Sequence, residues 1–217
     1  MEFDFGLTVL GGRFHMDWRH DGADPSDLVM RWIQRAAADG DDGEEELRLL
    51  HRDVRLLLDS PLPSELIEAL WRTVALFYPV DAAALRGRAW LTEIDRMLVP
   101  FVPTVPSGTC EFGMSAERVR EPAGTDVSDG VIRLAEEIEP VYEFPLEPVP
   151  ADLVRDAVSR CAREAGGPLA YRFLLHAYSA YGAPVSASAH TEFRRIAELC
   201  GYGEFILMPI EYLVENQ

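Results

Sequence analysis

The chain has 217 residues, 48% of them apolar, and carries 37 acidic side chains against 20 basic ones. This apolar content excludes a disordered chain, and no stretch approaches the roughly 18 apolar residues of a membrane-spanning helix. The formal net charge of −17 repels phosphate backbones, which excludes a nucleic-acid-binding protein. Such a charge attracts basic partners, although it also keeps a protein soluble without any partner.

Cysteine usage and the first residues predict a cytoplasmic protein. The three cysteines, Cys110, Cys161 and Cys200, are odd in number and show no CxxC spacing, which argues against a disulfide framework or a zinc site. The chain opens with acidic residues and lacks the positively charged start of a signal peptide. All 20 basic residues are arginine, a bias typical of GC-rich genomes.

Four amphipathic helices are predicted in residues 1–99. Asp24 is a suitable N-cap, Pro25 suits the first helical position, and apolar residues then recur at helical spacing. Before the first of these helices, a short apolar segment ends in the pair Gly11-Gly12, which indicates either a turn or a close approach of another segment to the backbone. The four helices are expected from Pro25 to the break at Asp39, from near Glu44 to Ser60, between Pro63 and Pro79, and over residues 87–98. Such segments with short breaks are typical of a small helical bundle.

A second, mostly helical domain is predicted over residues 108–217, after a proline-rich connector at 100–107 that cannot continue a helix. A short helix capped by Ser128 and one or two short strands are expected first. Three better-marked helices and an extended apolar tail follow. These segments are a strand near 109–125, a strand at Val141–Phe144, helices at about 151–165, 168–181 and 187–200, and the tail from Phe205. The predicted fold class is therefore mainly α, in two domains.

The most acidic short segment runs from Asp39 to Glu46. Six of its eight residues carry carboxylates, and we predict them as partner-binding residues: Asp39, Asp41, Asp42, Glu44, Glu45 and Glu46. Carboxylates at a helix N-terminus also stabilise the helix through its dipole. The segment is therefore either a recognition surface for a basic partner or a stabilised helix start.

The densest polar cluster contains His15, Asp17, His20 and Asp21, residue types that can bind a metal ion. Neither helical spacing nor strand alternation brings these side chains together. We instead interpret this stretch as a loop in which Phe14 and Trp18 are structural anchors and His15 bonds to the backbone. No metal ligand and no cofactor is predicted.

No pattern in the chain indicates catalysis. There is no GxSxG nucleophile motif, glycine-rich phosphate loop, dinucleotide fingerprint or HExxH motif. Cys161 and Cys200 lie near the ends of amphipathic helices, where a free cysteine usually behaves as a small apolar residue. His51, His176 and His190 are interpreted as structural residues. No catalytic residue is predicted.

A known family shares several short motifs with residues 5–99, in the same order. Its members open with a leucine-glycine lead-in and a Phe-His-x-Asp-Trp segment, here Leu10-Gly11-Gly12 and Phe14-His15-Met16-Asp17-Trp18. The later matches are Ser26-Asp27-Leu28-Val29, Phe77-Tyr78-Pro79 and Trp90-Leu91. In these features the chain resembles the immunity proteins of bacterial contact-dependent growth inhibition systems. Trp90 is a further expected structural anchor.

The resemblance implies a non-enzymatic protein of the toxin–antitoxin type, which binds and neutralises a partner toxin domain. Residues 108–217 have no counterpart in it. Two other functions are compatible with the sequence: a metal-dependent hydrolase that uses His15, Asp17, His20 and Asp21, and a non-enzymatic regulatory scaffold.

Overall fold

The computed structural model describes residues 3–79, 84–102, 124–141 and 149–214, and these residues form a mainly helical fold. The predicted mainly α fold class is therefore confirmed. The α-helices of the described residues are α1 (Gly6–Gly12), α2 (Pro25–Ala38), α3 (Asp41–Asp59), α4 (Ser64–Val74), α5 (Gly87–Leu98), α6 (Gly124–Glu136), α7 (Ala151–Glu164), α8 (Gly167–Tyr181), α9 (Ala187–Leu199) and α10 (Met208–Glu211). Two 3₁₀ helices, Trp18–His20 and Glu204–Leu207, complete the described structure.

Helices with strong local signals begin and end close to their predicted bounds. The Asp24 carboxylate accepts a hydrogen bond from the Asp27 N–H at 2.9 Å, and Pro25 is the first residue of α2. This is the geometry of a capped N-terminus, in which a side chain satisfies a free backbone donor. Helices α5, α7, α8 and α9 also lie within about two residues of their expected positions, the usual uncertainty of a helix end.

Three predictions in the first half were wrong. The stretch that ends at Gly11-Gly12 is helix α1 and not a turn. The other interpretation of the glycine pair agrees with the structure at Gly11, where an added Cβ would lie 2.3 Å from the side chain of Val74. Helix α3 begins at Asp41 instead of Glu44, because Gly40 at a φ of 70° lets the chain reverse within one residue. Helix α4 ends at Val74, and a turn replaces the expected extension to Pro79.

Two predictions in the second half, one for a helix start and one for an extended tail, were also wrong. Helix α6 begins at Gly124, so Ser128 lies inside it; its hydroxyl donates to the Ala162 carbonyl oxygen at 2.8 Å instead of capping the helix. The tail from Phe205 is a 3₁₀ helix that leads into α10, not an extended segment. A short apolar run fits either conformation, so its periodicity could not decide between them.

The expected strands lie largely outside the described residues. Of the proposed strand Val141–Phe144, only Val141 is described, where its N–H donates to the Tyr181 carbonyl oxygen at 2.9 Å. Of the segment 109–125, only the last two residues are described, and they belong to α6. Within the described ranges the chain forms no strand, and its one β contact is an isolated parallel bridge between Val185 and Val214.

Helix α4 connects the two halves of the chain. It packs against α1 and α5 on one side of the predicted boundary, and against α7 and α8 on the other. The buried apolar side chains of both halves form one continuous core. Of the predicted connector, Pro100–Val102 form a turn after α5, and 103–107 lie outside the described residues. Residues 1–99 therefore share this core with the helices beyond the predicted boundary.

Candidate functional site

The predicted acidic segment lies at the tight junction between α2 and α3. Asp39 is the C-cap of α2, and Asp41 begins α3 after the reversal at Gly40. The two helices approach so closely at Gly43 that an added Cβ would lie 1.8 Å from the Ala36 carbonyl oxygen. We call the six predicted residues at this junction the acidic corner: Asp39, Asp41, Asp42, Glu44, Glu45 and Glu46.

Most carboxylates of the acidic corner face solvent. All are exposed except Glu46, which is partly buried. Burial raises the pKa of Glu46; the nearby positive charge of Arg13 opposes this shift, and the charge of Asp39 adds to it. Glu45 forms an ion pair with Arg48 at 2.5 Å. Within the described part of the chain, four carboxylates of the acidic corner form no ion pair, so their charge is available to a partner: Asp39, Asp41, Asp42 and Glu44.

The helix dipole explains only part of the acidic corner. Asp41, Asp42 and Glu44 lie in the first turn of α3, where negative charge is favourable by about 0.3–1 kcal/mol each. Asp39 lies between the C-terminal end of α2 and the N-terminus of α3, where the two helix dipoles act on its negative charge in opposite directions.

Three of the four predicted anchors are buried in an aromatic cluster. Phe14, Trp18 and Trp90 are all almost inaccessible to solvent. Tyr78 contacts both ends of the cluster, with its ring centroid 5.2 Å from Phe14 and 5.1 Å from Trp90. The Trp18 indole N–H donates to the Phe77 carbonyl oxygen at 2.9 Å. These contacts join the loop after α1 to the turn after α4 and to α5.

His15 differs from the other anchors because its side chain is exposed. The loop buries Phe14 and Trp18, and the residues between them therefore face solvent. His15 does contact backbone, since its Nδ1 accepts from the Asp17 N–H at 3.2 Å. This is the kind of backbone contact that the sequence predicts for His15, although its side chain is exposed and not part of the aromatic cluster.

The cluster proposed for a metal-dependent hydrolase is not assembled. Only His15 and Asp21 approach each other, with Nε2 3.5 Å from the carboxylate. Asp17 and His20 are exposed on the same loop. Among the described residues, no group of three or more His, Cys, Asp or Glu side chains is arranged to hold a metal ion.

We expect Trp90→Ala to lower the free energy of unfolding by about 3–5 kcal/mol, because the change removes a buried large aromatic from the cluster. Trp90→Phe is the control. The Trp90 indole N–H has no hydrogen-bond partner among the described residues, so phenylalanine loses only packing and should cost distinctly less. Urea denaturation followed by circular dichroism measures both. Unchanged stability of the alanine variant, with partner binding lost, would make Trp90 a binding residue instead.

A buried ionic network that the sequence did not predict joins α1, α3 and α8. Asp53 and Arg172 are fully buried, and an Arg172 Nη lies 2.7 Å from the Asp53 carboxylate. The same carboxylate accepts from the Leu7 N–H at 3.0 Å. Arg172 also donates to the Phe5 carbonyl oxygen and to the Thr8 hydroxyl, at 2.6 and 3.0 Å. Burial lowers the pKa of Arg172, but the charges of Asp53 and Asp4, the nearby Tyr202 and the hydrogen bond to Asp53 together outweigh this effect, so the pKa is raised and the guanidinium stays charged.

The network extends toward the surface through Asp4 and His176. The Asp4 carboxylate lies 2.7 Å from His176 Nε2 and accepts from the Thr8 hydroxyl at 2.6 Å. Burial alone raises the pKa of Asp4, but the contacts with His176 and the charge of Arg172 outweigh it and bring the pKa below its usual value. Asp53 and Arg172 are closed to solvent, so no substrate could reach them as they stand. The network therefore holds the first helix against the core.

The described cysteines are not activated nucleophiles. Cys161 is completely buried, and burial raises the pKa of its thiol far above the ordinary range. Burial also raises the pKa of Cys200 to about 12. Because the thiolate is the reactive form, neither side chain is reactive near neutral pH. Cys110 lies outside the described residues.

No known protein family, no curated protein and no solved structure matches this chain. The resemblance to the growth-inhibition immunity proteins therefore remains a prediction. None of the described helices is both long and apolar enough to cross a membrane. Among the predicted residues, the most distinctive exposed feature of the chain is the acidic corner.

Proposed function

We propose that this is an immunity-type protein, which binds a partner toxin domain in the cytoplasm and neutralises it by covering its surface. The proposal assigns the chain no catalytic step and no cofactor. The observation that carries it is the acidic corner, a set of exposed carboxylates on a tight helix junction, four of which form no ion pair within the described residues.

A toxin that cuts nucleic acid needs a basic cleft to hold phosphates. Carboxylates fixed on a helix junction can enter such a cleft, because their charge-assisted hydrogen bonds to arginine or lysine resemble those of a phosphate. The net charge of −17 would also accelerate encounter with a basic partner. Bound in this way, the protein excludes the toxin's substrate without any chemistry of its own.

The direct test of the proposal is protection of growing cells. A toxin domain encoded beside this chain's gene is expressed alone or together with the chain in a bacterial host. Growth should stop in the first case and continue in the second, and the two purified proteins should form a stoichiometric complex. Continued growth arrest together with absence of a complex would contradict the proposal.

Neutralising the acidic corner should slow association with that toxin domain. In the triple variant Asp39→Asn, Asp41→Asn, Asp42→Asn, we expect the association rate constant to fall by about tenfold or more, because electrostatic steering raises such rates by about 10–10³-fold. The wild-type rate should also fall as salt rises from about 0.05 to 0.5 M. Stopped-flow fluorescence measures both.

The matched control is Glu136→Gln, Glu137→Gln, Glu139→Gln, which changes the net charge equally at three other exposed positions. Its association rate should stay close to that of the wild type. If instead the control slows association and the acidic-corner variant does not, the interface lies near α6. A lower melting temperature of the acidic-corner variant at an unchanged rate would show that its carboxylates only stabilise α3.

A further inference from the structure

A groove of about 820 Å³ lies between α9 and the segment that contains the 3₁₀ helix Glu204–Leu207 and α10. We call it the C-terminal groove. Its floor contains the buried side chains of Ala197 and Leu207, and its rim contains Phe205 and Met208, which are 40% and 60% exposed. No residue of the acidic corner lines it.

The apolar surface continues beyond the groove. The Phe3 ring stacks on Phe205, with centroids 4.9 Å apart and planes at 8°, and Phe3 is itself 58% exposed. Exposed apolar surface of this kind, next to a concave site, is typical of a protein-binding surface.

The acidic residues of the groove are not neutralised by the chain. Glu198, Glu204 and Glu211 line the groove, all three are exposed, and none forms an ion pair with any residue that the structure describes. Glu192, on the same helix α9, is by contrast paired with both Arg133 and Arg195. Against the three groove carboxylates stands one lining arginine, Arg194. The groove therefore combines an apolar floor with excess negative charge.

The groove is also backed by a rigid part of the core. Tyr202 lines it and stacks against Tyr171 of α8, with ring centroids 6.1 Å apart. The Tyr202 hydroxyl donates to the Pro168 carbonyl oxygen at 3.3 Å. A surface held in this way needs little reordering on binding, which lowers the entropic cost of association.

We propose that the C-terminal groove binds a basic amphipathic helix of a partner protein. The apolar face of that helix would lie on Leu207, Phe205 and Met208. Lysine or arginine side chains beside that face would reach Glu198, Glu204 and Glu211, since an amphipathic helix places both kinds of residue on one side. A basic helix is the proposed occupant because its positive charge complements the excess negative charge of the groove. This site is separate from the surface proposed for the toxin partner, because no residue of the acidic corner lines the groove.

The test uses the full chain and two fluorescein-labelled helical peptides of about 18 residues, which is about five helical turns. Both carry leucines at positions i, i+3, i+4 and i+7; one has lysines beside the leucines and the other has glutamates. Fluorescence anisotropy should show saturable binding of the lysine peptide, at least about tenfold tighter than that of the glutamate peptide. Equal binding of both peptides, or of neither, would overturn the proposal.

Two exposed methionines report where the peptide binds. Met208 lies in the groove and is 60% exposed, whereas Met16, in the loop after α1, is 73% exposed and does not line it. In methyl NMR spectra of the ¹³C-methionine-labelled chain, the lysine peptide should shift the Met208 signal and leave the Met16 signal in place. A shift at Met16 alone would overturn the groove as the site.

The decisive variant is Glu198→Gln, Glu204→Gln, Glu211→Gln, which keeps the shape of the groove and removes its charge. Its affinity for the lysine peptide should fall by about tenfold, with a weaker dependence on salt. The acidic-corner variant described above removes the same number of charges and should bind the peptide normally. An unchanged affinity of the groove variant would overturn the role of the glutamates. A Met208 shift that appears with rising protein concentration alone would instead make a second copy of this chain the occupant.

Failure of this proposal and failure of the proposed function are distinguishable. The toxin test measures cell growth and the effect of the acidic-corner substitutions on association. The peptide test measures the effect of the groove-glutamate substitutions on affinity and the shift of the Met208 methyl signal. Either result can be positive while the other is negative.

Discussion

Arg172→Ala is expected to lower the free energy of unfolding by about 5 kcal/mol. Breaking a buried ion pair by removing one partner costs about 3–5 kcal/mol, because the other charge stays buried without compensation. Here the change leaves the buried Asp53 carboxylate with only the weaker contact to Arg52, whose Nη2 lies 3.5 Å from its other oxygen. It also removes the guanidinium that packs over the Phe5 ring at 4.1 Å, and this second loss places the expected effect at the upper end of the range. Urea denaturation at neutral pH measures the change.

An exposed ion pair provides the control for this experiment. Arg195 pairs with Glu192 and Asp126 at the surface, and such pairs contribute about 0–1 kcal/mol. Arg195→Ala should therefore have a small effect. The double variant Arg172→Met, Asp53→Leu should recover much of the lost stability, because it leaves no buried charge. Equal destabilisation by the two arginine substitutions would contradict the structural role of the network.

A chain that ends at residue 101 is expected to lose cooperative unfolding. Helix α4 buries eight of its eleven residues, which means that more than one of its faces is covered. One of these faces packs against α7 and α8, which the truncated chain lacks. Truncation also removes Arg172, the buried partner of Asp53. The shortened chain therefore exposes apolar surface and keeps the Asp53 carboxylate with only Arg52 as a partner, at 3.5 Å.

Circular dichroism melts compare the truncated chain with the full one. The truncated chain should retain helical signal but melt over a broad range and bind a dye for exposed apolar surface, as loosely packed states do. Adding residues 102–217 as a separate polypeptide should restore a sharp transition if the halves need each other. A sharp melt of the truncated chain alone, close to that of the full chain, would show that residues 1–99 are an independent domain.

Local sequence signals were sufficient for most of the helices. The Asp24 cap and the proline after it mark the start of α2 through contacts within four residues. Gly182, with a left-handed φ of 58°, ends α8 in the same local way. Large aromatic residues such as Trp90 were expected in the core because burying them is strongly favourable.

Other features depend on residues that are far apart in the sequence. Asp53 and Arg172 are 119 positions apart, and the other buried residues of their two helices are almost all apolar. The one signal available in the sequence was a charged residue on an otherwise apolar helix face. That signal does not show which residue is its partner. Gly11 similarly has a packing role that only its contact with Val74 explains.

The amino-acid sequence by itself determined the helical class, the helix bounds with strong caps, the burial of the large aromatics and the acidity of the surface, because these follow from neighbouring residues or from composition. Only the tertiary structure decided that α4 joins both halves in one core, that Asp53 meets Arg172, and that Glu198, Glu204 and Glu211 surround an apolar groove. The physical reason is that burial and ion pairing depend on distances in space, and many different distances are compatible with the same local pattern.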